Sequence, residues 1–329
     1  MTLRAAARLL ILAALLCGPY GMAGCVRAHQ ITMIPPRPSA GPTAAAPTAP
    51  SWRPTPKVLV VGLDGLRWDR IFAARAPHMR ALMHAGVFAT GSLRLPPKVH
   101  SVSGPGWATI LTGVEPAKHG VRDNSFAGQR FSKYPDFLTR IERLRPRLRT
   151  AAVTGWSTVF DAGAIGKVDW HATIRPGEHY EGAPDAVIVR RMVDVIGTRE
   201  IDVAFMHLAE TDRVAHESGV LGPRYTAAIE VMDGYLGSLF AAIRRRPSYP
   251  AESWTVIVVT DHGHLDKGGH GGRKPGELKI FLLAAGEGIA HERRYDARQV
   301  DVAATVFDQL GIPRPADFDG HSLRHLEKR

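Results

Sequence analysis

Cysteine is nearly absent: two residues, Cys17 and Cys25, serve a chain of 329, and both lie near its start. That excludes a disulfide framework for the bulk of the chain and any thiolate metal site within it. Aromatic residues make up only 7%, and no basic patch interleaved with them stands out, so no specific nucleic-acid binding is expected. No set of long apolar runs is present, which speaks against a multi-span membrane protein. Acidic residues are the minority, 31 Asp and Glu against 42 Lys and Arg, for a formal charge of +11. That excess favours anionic partners: phosphorylated substrates, nucleic acid or an anionic membrane surface. The Arg-rich runs 140–149 and 244–246 fall at predicted helix ends, where cations complement the helix dipole. What remains, 45% hydrophobic and 22% charged, suits a sizeable globular core.

The first 24 residues read as an export leader. Arg4 and Arg8 precede the apolar run Leu9 to Leu16, and small residues follow, too short a stretch for a membrane span. Met22-Ala23-Gly24-Cys25 resembles a lipobox, with Met22 where leucine is commoner. The resemblance implies cleavage before Cys25, lipidation of its thiol, and anchorage to a bacterial membrane in the periplasm or cell envelope; ordinary cleavage near Ala23 is the alternative. Residues 25–56 are rich in Pro, Ala, Ser and Thr, a composition that buries little and reads as a tether.

From residue 57 to 329 the pattern is that of one folded domain. Lys57–Leu63 is a short β-branched apolar run, as expected for a strand buried on both faces. Further strands are predicted at Ala151–Thr154, Val203–Leu208, Val256–Thr260 and Ile280–Leu283. Pro77–Gly86 has a proline start and a glycine stop, and Asp301–Gly311 is another helix. Tyr225, Ile229, Met232, Leu236, Leu239 and Ile243 form a helical apolar stripe. Strands alternating with helices give an α/β fold, a mostly parallel sheet covered on both faces. Ligands of such sheets gather at the carboxyl ends of strands.

Three predicted strands end in chemistry. Asp64 follows the first. Asp212 and His216, four apart and able to share a helical face, follow the strand at 203–208. Asp261 and His262 close "VIVVTDHGH", and His270 sits in the glycine-rich "GGHGG". Carboxylate and imidazole donors without thiolate suit a pair of Zn²⁺ ions, with Mn²⁺ the other ion they fit. Singly, each has a bland reading as a turn cap or surface residue; jointly, they are hard to explain as turn chemistry.

"VVGLDG", "SGPGWATILTGVEPAKHGVRDN", "TDRVAH", "TDHGH" and "GGHGG", in that order, resemble the alkaline phosphatase superfamily, and its type I phosphodiesterase/nucleotide pyrophosphatase branch above all. The likeness runs from Lys57 to about Leu323. It implies a single alkaline-phosphatase-like domain and two divalent metal ions, one held by Asp212, His216 and His270. The other would be held by Asp64, Asp261 and His262, with Ser103 as a further ligand. A hydroxyl nine residues before the threonine of a "TG" pair is the nucleophile of this branch. Thr112-Gly113 is that pair here, which makes Ser103 the nucleophile rather than Ser101 or Thr109. Asn124 matches the phosphate-binding asparagine, and His119 reads as structural. His321, in "DGHSL", is the late competitor of His270. His264, His171 and His179 are expected at the surface, and Lys98, His100, Arg273 and Lys274 lie near enough in sequence to touch substrate.

The reaction so implied is hydrolysis of a small phosphorylated substrate, a nucleotide or other phosphodiester, through a covalent intermediate on Ser103. A phosphomonoesterase is the alternative, and no arginine clamp for a dianion follows Ser103 before Arg122. A sulfatase is disfavoured because Trp107 stands where its signature needs arginine. A lipid-anchored binding protein on a degenerate fold would be marked by a lost ligand, and no position of the implied set is missing. Residues 156–186, Gly-rich and irregular, are expected to form a substrate lid.

Overall fold

The computed structural model describes residues 53–174 and 184–324. The leader, Cys25, most of the tether and His179 lie outside that range. Eight strands are present among the described residues: β1 Thr55–Leu63, β2 Val87–Ser92, β3 Thr150–Thr154, β4 Trp170–Thr173, β5 Val203–Leu208, β6 Glu252–Val259, β7 Lys279–Ala285 and β8 Glu292–Arg294. They form one sheet in the order β4-β3-β5-β1-β6-β7-β2-β8. β1 is central and parallel to both β5 and β6, whereas β7 runs antiparallel to β6 and β2. The fold is the expected α/β sheet with helices on both faces, made mixed by that one reversed strand.

Period-two alternation explains the two covers. Val58 and Val60 of β1 pack with the helices Ser103–Thr112, Phe137–Leu144 and Asp301–Gln309. Leu59 and Val61 face the other way, onto Pro77–Ala85, Pro184–Thr198 and Pro223–Arg244. A strand buried on both sides must be apolar throughout, and each such side chain contributes about 1.5–3 kcal/mol when buried. The six residues of the helical stripe are all buried in the Pro223–Arg244 helix.

Three strands were not foreseen: β2 is interrupted by Gly91, while β4 and β8 are short and lack an apolar run. Their pairing comes from neighbours rather than from local pattern. β1 itself begins at Thr55, opposite Glu252, inside the stretch expected to be tether. The lid expected at 156–186 is not wholly irregular. Thr158–Asp161 is a short helix, and Trp170–Thr173 is β4, hydrogen-bonded to β3 as part of the sheet; residues 175–183 lie outside the described ones.

The helical stripe also reaches the strand ends. The Tyr225 hydroxyl donates to Gly65 O at 3.0 Å and accepts from Arg67 N at 2.9 Å, holding the turn after Asp64. Tyr225→Phe leaves both backbone groups buried and unpartnered. It is expected to lower stability by about 1–3 kcal/mol, read from urea denaturation with unchanged denaturant dependence.

Candidate active site

The parallel register of β1, β5 and β6 brings their carboxyl ends level, with Gly62 opposite both His207 and Val259. The residues that follow therefore converge. Asp64 N donates to Leu208 O (2.9 Å), Thr211 Oγ1 donates to Asp64 O (2.6 Å), and Gly65 N donates to Asp261 Oδ1 (3.0 Å). Asp64, Asp261 and His262 form one group of possible metal donors, and Asp212, His262, His264 and His270 form a second, with His262 common to both. Within each group the donor atoms lie within 4.8 Å of one another.

His264 corrects the expectation of a surface histidine. It is fully buried, and its Nε2 lies 2.8 Å from Asp212 Oδ1. The backbone after Gly263 turns inward, where Arg67 Nη1 donates to His264 O at 3.0 Å. His216, by contrast, is exposed at the outer edge, with its Nε2 2.9 Å from His270 Nε2 and 3.5 Å from Asp212 Oδ1. His321 is exposed and belongs to neither group. His171 is exposed on β4.

Ser103 opens the Ser103–Thr112 helix, with extended Val102 before it. Its Oγ lies 3.3 Å from His262 Nε2 and 3.5 Å from Asp64 Oδ1. A Cβ on Gly106 would stand 2.7 Å from Asp261 Cβ and 2.8 Å from Asp261 O, so only glycine lets this helix approach the β6 end. Asn124 Oδ1 accepts from Gly104 N at 2.7 Å, which caps one of the helix's free N–H groups and leaves the amide N–H₂ of Asn124 for another partner. Thr109 and Thr112 donate back to Pro105 O (2.8 Å) and Ala108 O (2.6 Å), ordinary helix back-bonding.

Ser101 has a role that sequence reasoning missed. Fully buried, it donates from Oγ to Gly272 O (2.9 Å) and accepts from Gly271 N (3.0 Å). Its carbonyl oxygen lies 2.8 Å from His270 Nδ1. Because a carbonyl only accepts, Nδ1 of His270 carries the hydrogen and Nε2 keeps the lone pair that a metal needs. His262 Nδ1, 3.1 Å from Gly263 O, is fixed in the same sense. Lys98, His100, Arg273 and Lys274 are all exposed on the loops joined here. Arg273 spends its guanidinium on Leu95 O (2.8 Å) and Pro96 O (2.5 Å).

The electrostatics fit a cation. Burial, and then the charge of Asp64, push Asp261 well above the usual carboxylate range, and its Oδ2 is buried with no hydrogen-bond partner among the described residues. Asp64 stays below its ordinary value: burial and Asp212 push it up, but the His207 hydrogen bond and the nearby imidazoles outweigh them. For Asp212, burial is outweighed by the His264 hydrogen bond and by the nearby imidazoles of His270 and His262, so its carboxyl is also held low. Burial and neighbouring His270 push His262 down to about 3, leaving the neutral imidazole that ligates metals. Fixed imidazole lone pairs, an orphaned buried carboxylate oxygen and repelling carboxylates make a donor set that divalent ions fit.

The model of the type I phosphodiesterase/nucleotide pyrophosphatase family matches residues 58–270, a span that holds Ser103 and every implied ligand. The chain belongs to this family. Among curated relatives, the catalytic subunit of Homo sapiens GPI ethanolamine phosphate transferase 2 is 24% identical over 302 residues, covering 88% of this chain and 29% of that protein. A 2,3-bisphosphoglycerate-independent phosphoglycerate mutase of Herpetosiphon aurantiacus is 26% identical over 147 residues, 41% of this chain and 26% of that protein. The chain thus spans about a third or less of the curated relatives it matches. Among solved structures, murine ectonucleotide pyrophosphatase/phosphodiesterase 5 superposes with a TM-score of 0.58 at 16% identity, over 81% of this chain and 97% of that one. An inactive form of that protein, in complex with AMP, gives 0.57 at 15% identity, with the same coverage. Phosphonate monoester hydrolase of Agrobacterium radiobacter gives 0.60 at 14% identity, over 82% and 76%. At these identities the structures share the fold, that of the alkaline phosphatase superfamily, and this family is one of its branches.

His119 is fully buried and joins the Ser103–Thr112 helix to the turn that follows. Its Nδ1 accepts from Val121 N (3.1 Å), so Nε2 is the N–H that faces Thr109 Oγ1 at 3.0 Å. Burial, with Arg130 nearby, pushes it down to about 3 from an ordinary 6.5. The unfolded chain therefore takes up this proton first, and the contribution, complete above about pH 6.5, is lost as pH falls toward 3. About 2 kcal/mol should go between pH 6.5 and 5. His119→Gln should flatten that interval of the stability profile by the same amount, as measured by chemical denaturation at each pH.

Proposed function

We propose that the protein is a phosphoric ester hydrolase with phosphodiesters, nucleotide diesters or pyrophosphates among them, as its preferred substrates, and with Ser103 as nucleophile. The observation that carries this reading is the placement of Ser103 Oγ, 3.3 Å from His262 Nε2 and 3.5 Å from Asp64 Oδ1, at the mouth of a carboxylate and imidazole cluster. Asp64, Asp261 and His262 would hold one divalent ion, and Asp212 and His270 the other, with His264 and His216 the flanking imidazoles. Bound there, Zn²⁺ or Mn²⁺ would lower the pKa of the serine hydroxyl and balance charge that develops on the phosphoryl oxygens.

The chain's own part is positioning. Ser103 supplies the attacking oxygen, which bonds to phosphorus as the ester leaving group departs on the opposite side; water then frees the phosphoseryl bond in a second displacement. The N-terminus of the Ser103–Thr112 helix and the spare amide of Asn124 favour the anionic phosphoryl group. Phosphoryl transfer asks little else of the protein. The AMP complex of the murine structure supports a small nucleotide as one candidate substrate, and the absence of an arginine between Ser103 and Arg122 supports diesters over monoesters.

The leader and Cys25 extend the reading to an exported enzyme tethered by lipid to the bacterial cell envelope. Metabolic labelling with a fatty acid should mark the wild type and miss Cys25→Ser; equal labelling of both would overturn the anchor.

The enzymatic test compares p-nitrophenol release from a nucleotide p-nitrophenyl diester and from p-nitrophenyl phosphate, with Zn²⁺ supplied. Faster diester turnover is expected, with Ser103→Ala slower by at least about 10³-fold, in the range of losing an activated nucleophile. Faster monoester turnover would move the protein to the phosphomonoesterases. An unimpaired Ser103→Ala would remove the nucleophile assignment.

A further inference from the structure

Two buried side chains outside the ligand set converge on a single oxygen of Asp64. Trp107 Nε1 donates to Asp64 Oδ2 at 3.0 Å, and His207 Nε2 lies 2.9 Å from the same Oδ2. A carboxylate only accepts, so His207 Nε2 carries its hydrogen. The other oxygen, Oδ1, is the one that faces Ser103 Oγ and His262 Nε2, each at 3.5 Å. Among the described residues neither donor has another hydrogen-bond partner, and His207 Nδ1 is buried without one.

Both positions are ones where an apolar residue would pack as well. His207 follows Val203 and Phe205 on one face of β5, and Trp107 lies in a helix whose residues are all buried. A polar atom in such a place costs free energy unless it is hydrogen-bonded, and the single acceptor offered to each is Asp64. The pair also fits together. The two rings meet edge to face at 4.8 Å and 90°, and a Cβ on Gly62, which stands opposite His207 in the register, would lie 2.4 Å from Trp107 Cη2. Glycine in β1 is thus what admits the indole beside the carboxylate.

We propose that Trp107 and His207 are positioning residues for Asp64: by occupying Oδ2 they fix the carboxylate rotamer and reserve Oδ1 for the metal position beside Ser103. The inference rests on the two-metal reading. Outer partners of this kind typically change metal affinity 10–100-fold, and the effect should fall on one metal of the two, because among the described residues the hydrogen bonds of both donors go to Asp64 and not to Asp212, His264 or His270.

The test is Zn²⁺ titration calorimetry of the full chain stripped of metal, with Co²⁺ absorption spectra as an independent view of ligand geometry. Wild type should bind two equivalents. Trp107→Phe, which keeps the ring bulk and removes the donor, should weaken one equivalent by about 10–100-fold and leave the other within about threefold. His207→Leu should do the same, while His207→Gln, which keeps an N–H donor, should recover most of the affinity. The Co²⁺ spectrum of one site should shift in the two donor-less variants and return in His207→Gln. If the donor-less variants keep both affinities and both spectra, the positioning role is wrong and the two-metal reading stands. Equal weakening of both equivalents, with no recovery in His207→Gln, would make the pair general core support and overturn the inference. A wild type that binds no metal would overturn the two-metal reading itself. Should Trp107→Phe fail to fold, the His207 pair alone decides between these outcomes.

Discussion

Carboxylates do not gather in a protein interior without something to hold them there. Asp64 and Asp261 are almost wholly buried, with Asp212 beside them, and burial together with mutual repulsion pushes at least Asp261 far from its ordinary ionisation. The surrounding architecture answers that repulsion. Gly65 N donates to Asp261, Trp107 and His207 donate to Asp64, and His264 and His270 face Asp212. Repulsion among gathered carboxylates is also what a bound cation relieves.

The sheet makes such a cluster affordable. Its strand ends are supported from below by two apolar covers, and its loops are tied to one another by a few buried polar contacts. Ser101 ties the loop before Ser103 to the His270 loop, while Arg67 and Tyr225 tie the Asp64 turn to the loop at His264 and to the long core helix. His119 and the back-bonded threonines hold the Ser103–Thr112 helix from its far side. The candidate donors therefore sit on tied turns at the strand ends and on two helix starts, while Lys98, His100, Arg273 and Lys274 are exposed on the loops around them.

Much of the site was legible because strands buried on both faces leave a clear apolar signature, and the residue just past each one stands out. Asp64, Asp212, Asp261 and His262 were found in this way, and the ordered motifs placed Ser103, Asn124 and His270 beside them. His264 was not found. Two residues past His262, it alternates in sequence like a surface position, and only the inward turn after Gly263, closed by Arg67 on its carbonyl, makes it a neighbour of Asp212. His207 and Trp107 were hidden for the opposite reason: each lies in an apolar run and passes for packing until its one polar atom is seen to face Asp64.

By itself the sequence determined the α/β alternation, the central strand, the core stripe and most of the candidate site residues that converge at the strand ends, since periodicity and strand-end position are local properties of the chain. Tertiary structure alone decided the short strands β2, β4 and β8, the reversal of β7, and the grouping of donors around shared His262. It also decided which oxygen of Asp64 is left open and which nitrogen of His270 points inward. Those are matters of register and approach between segments far apart in the chain, set to within an ångström by packing that no local pattern encodes.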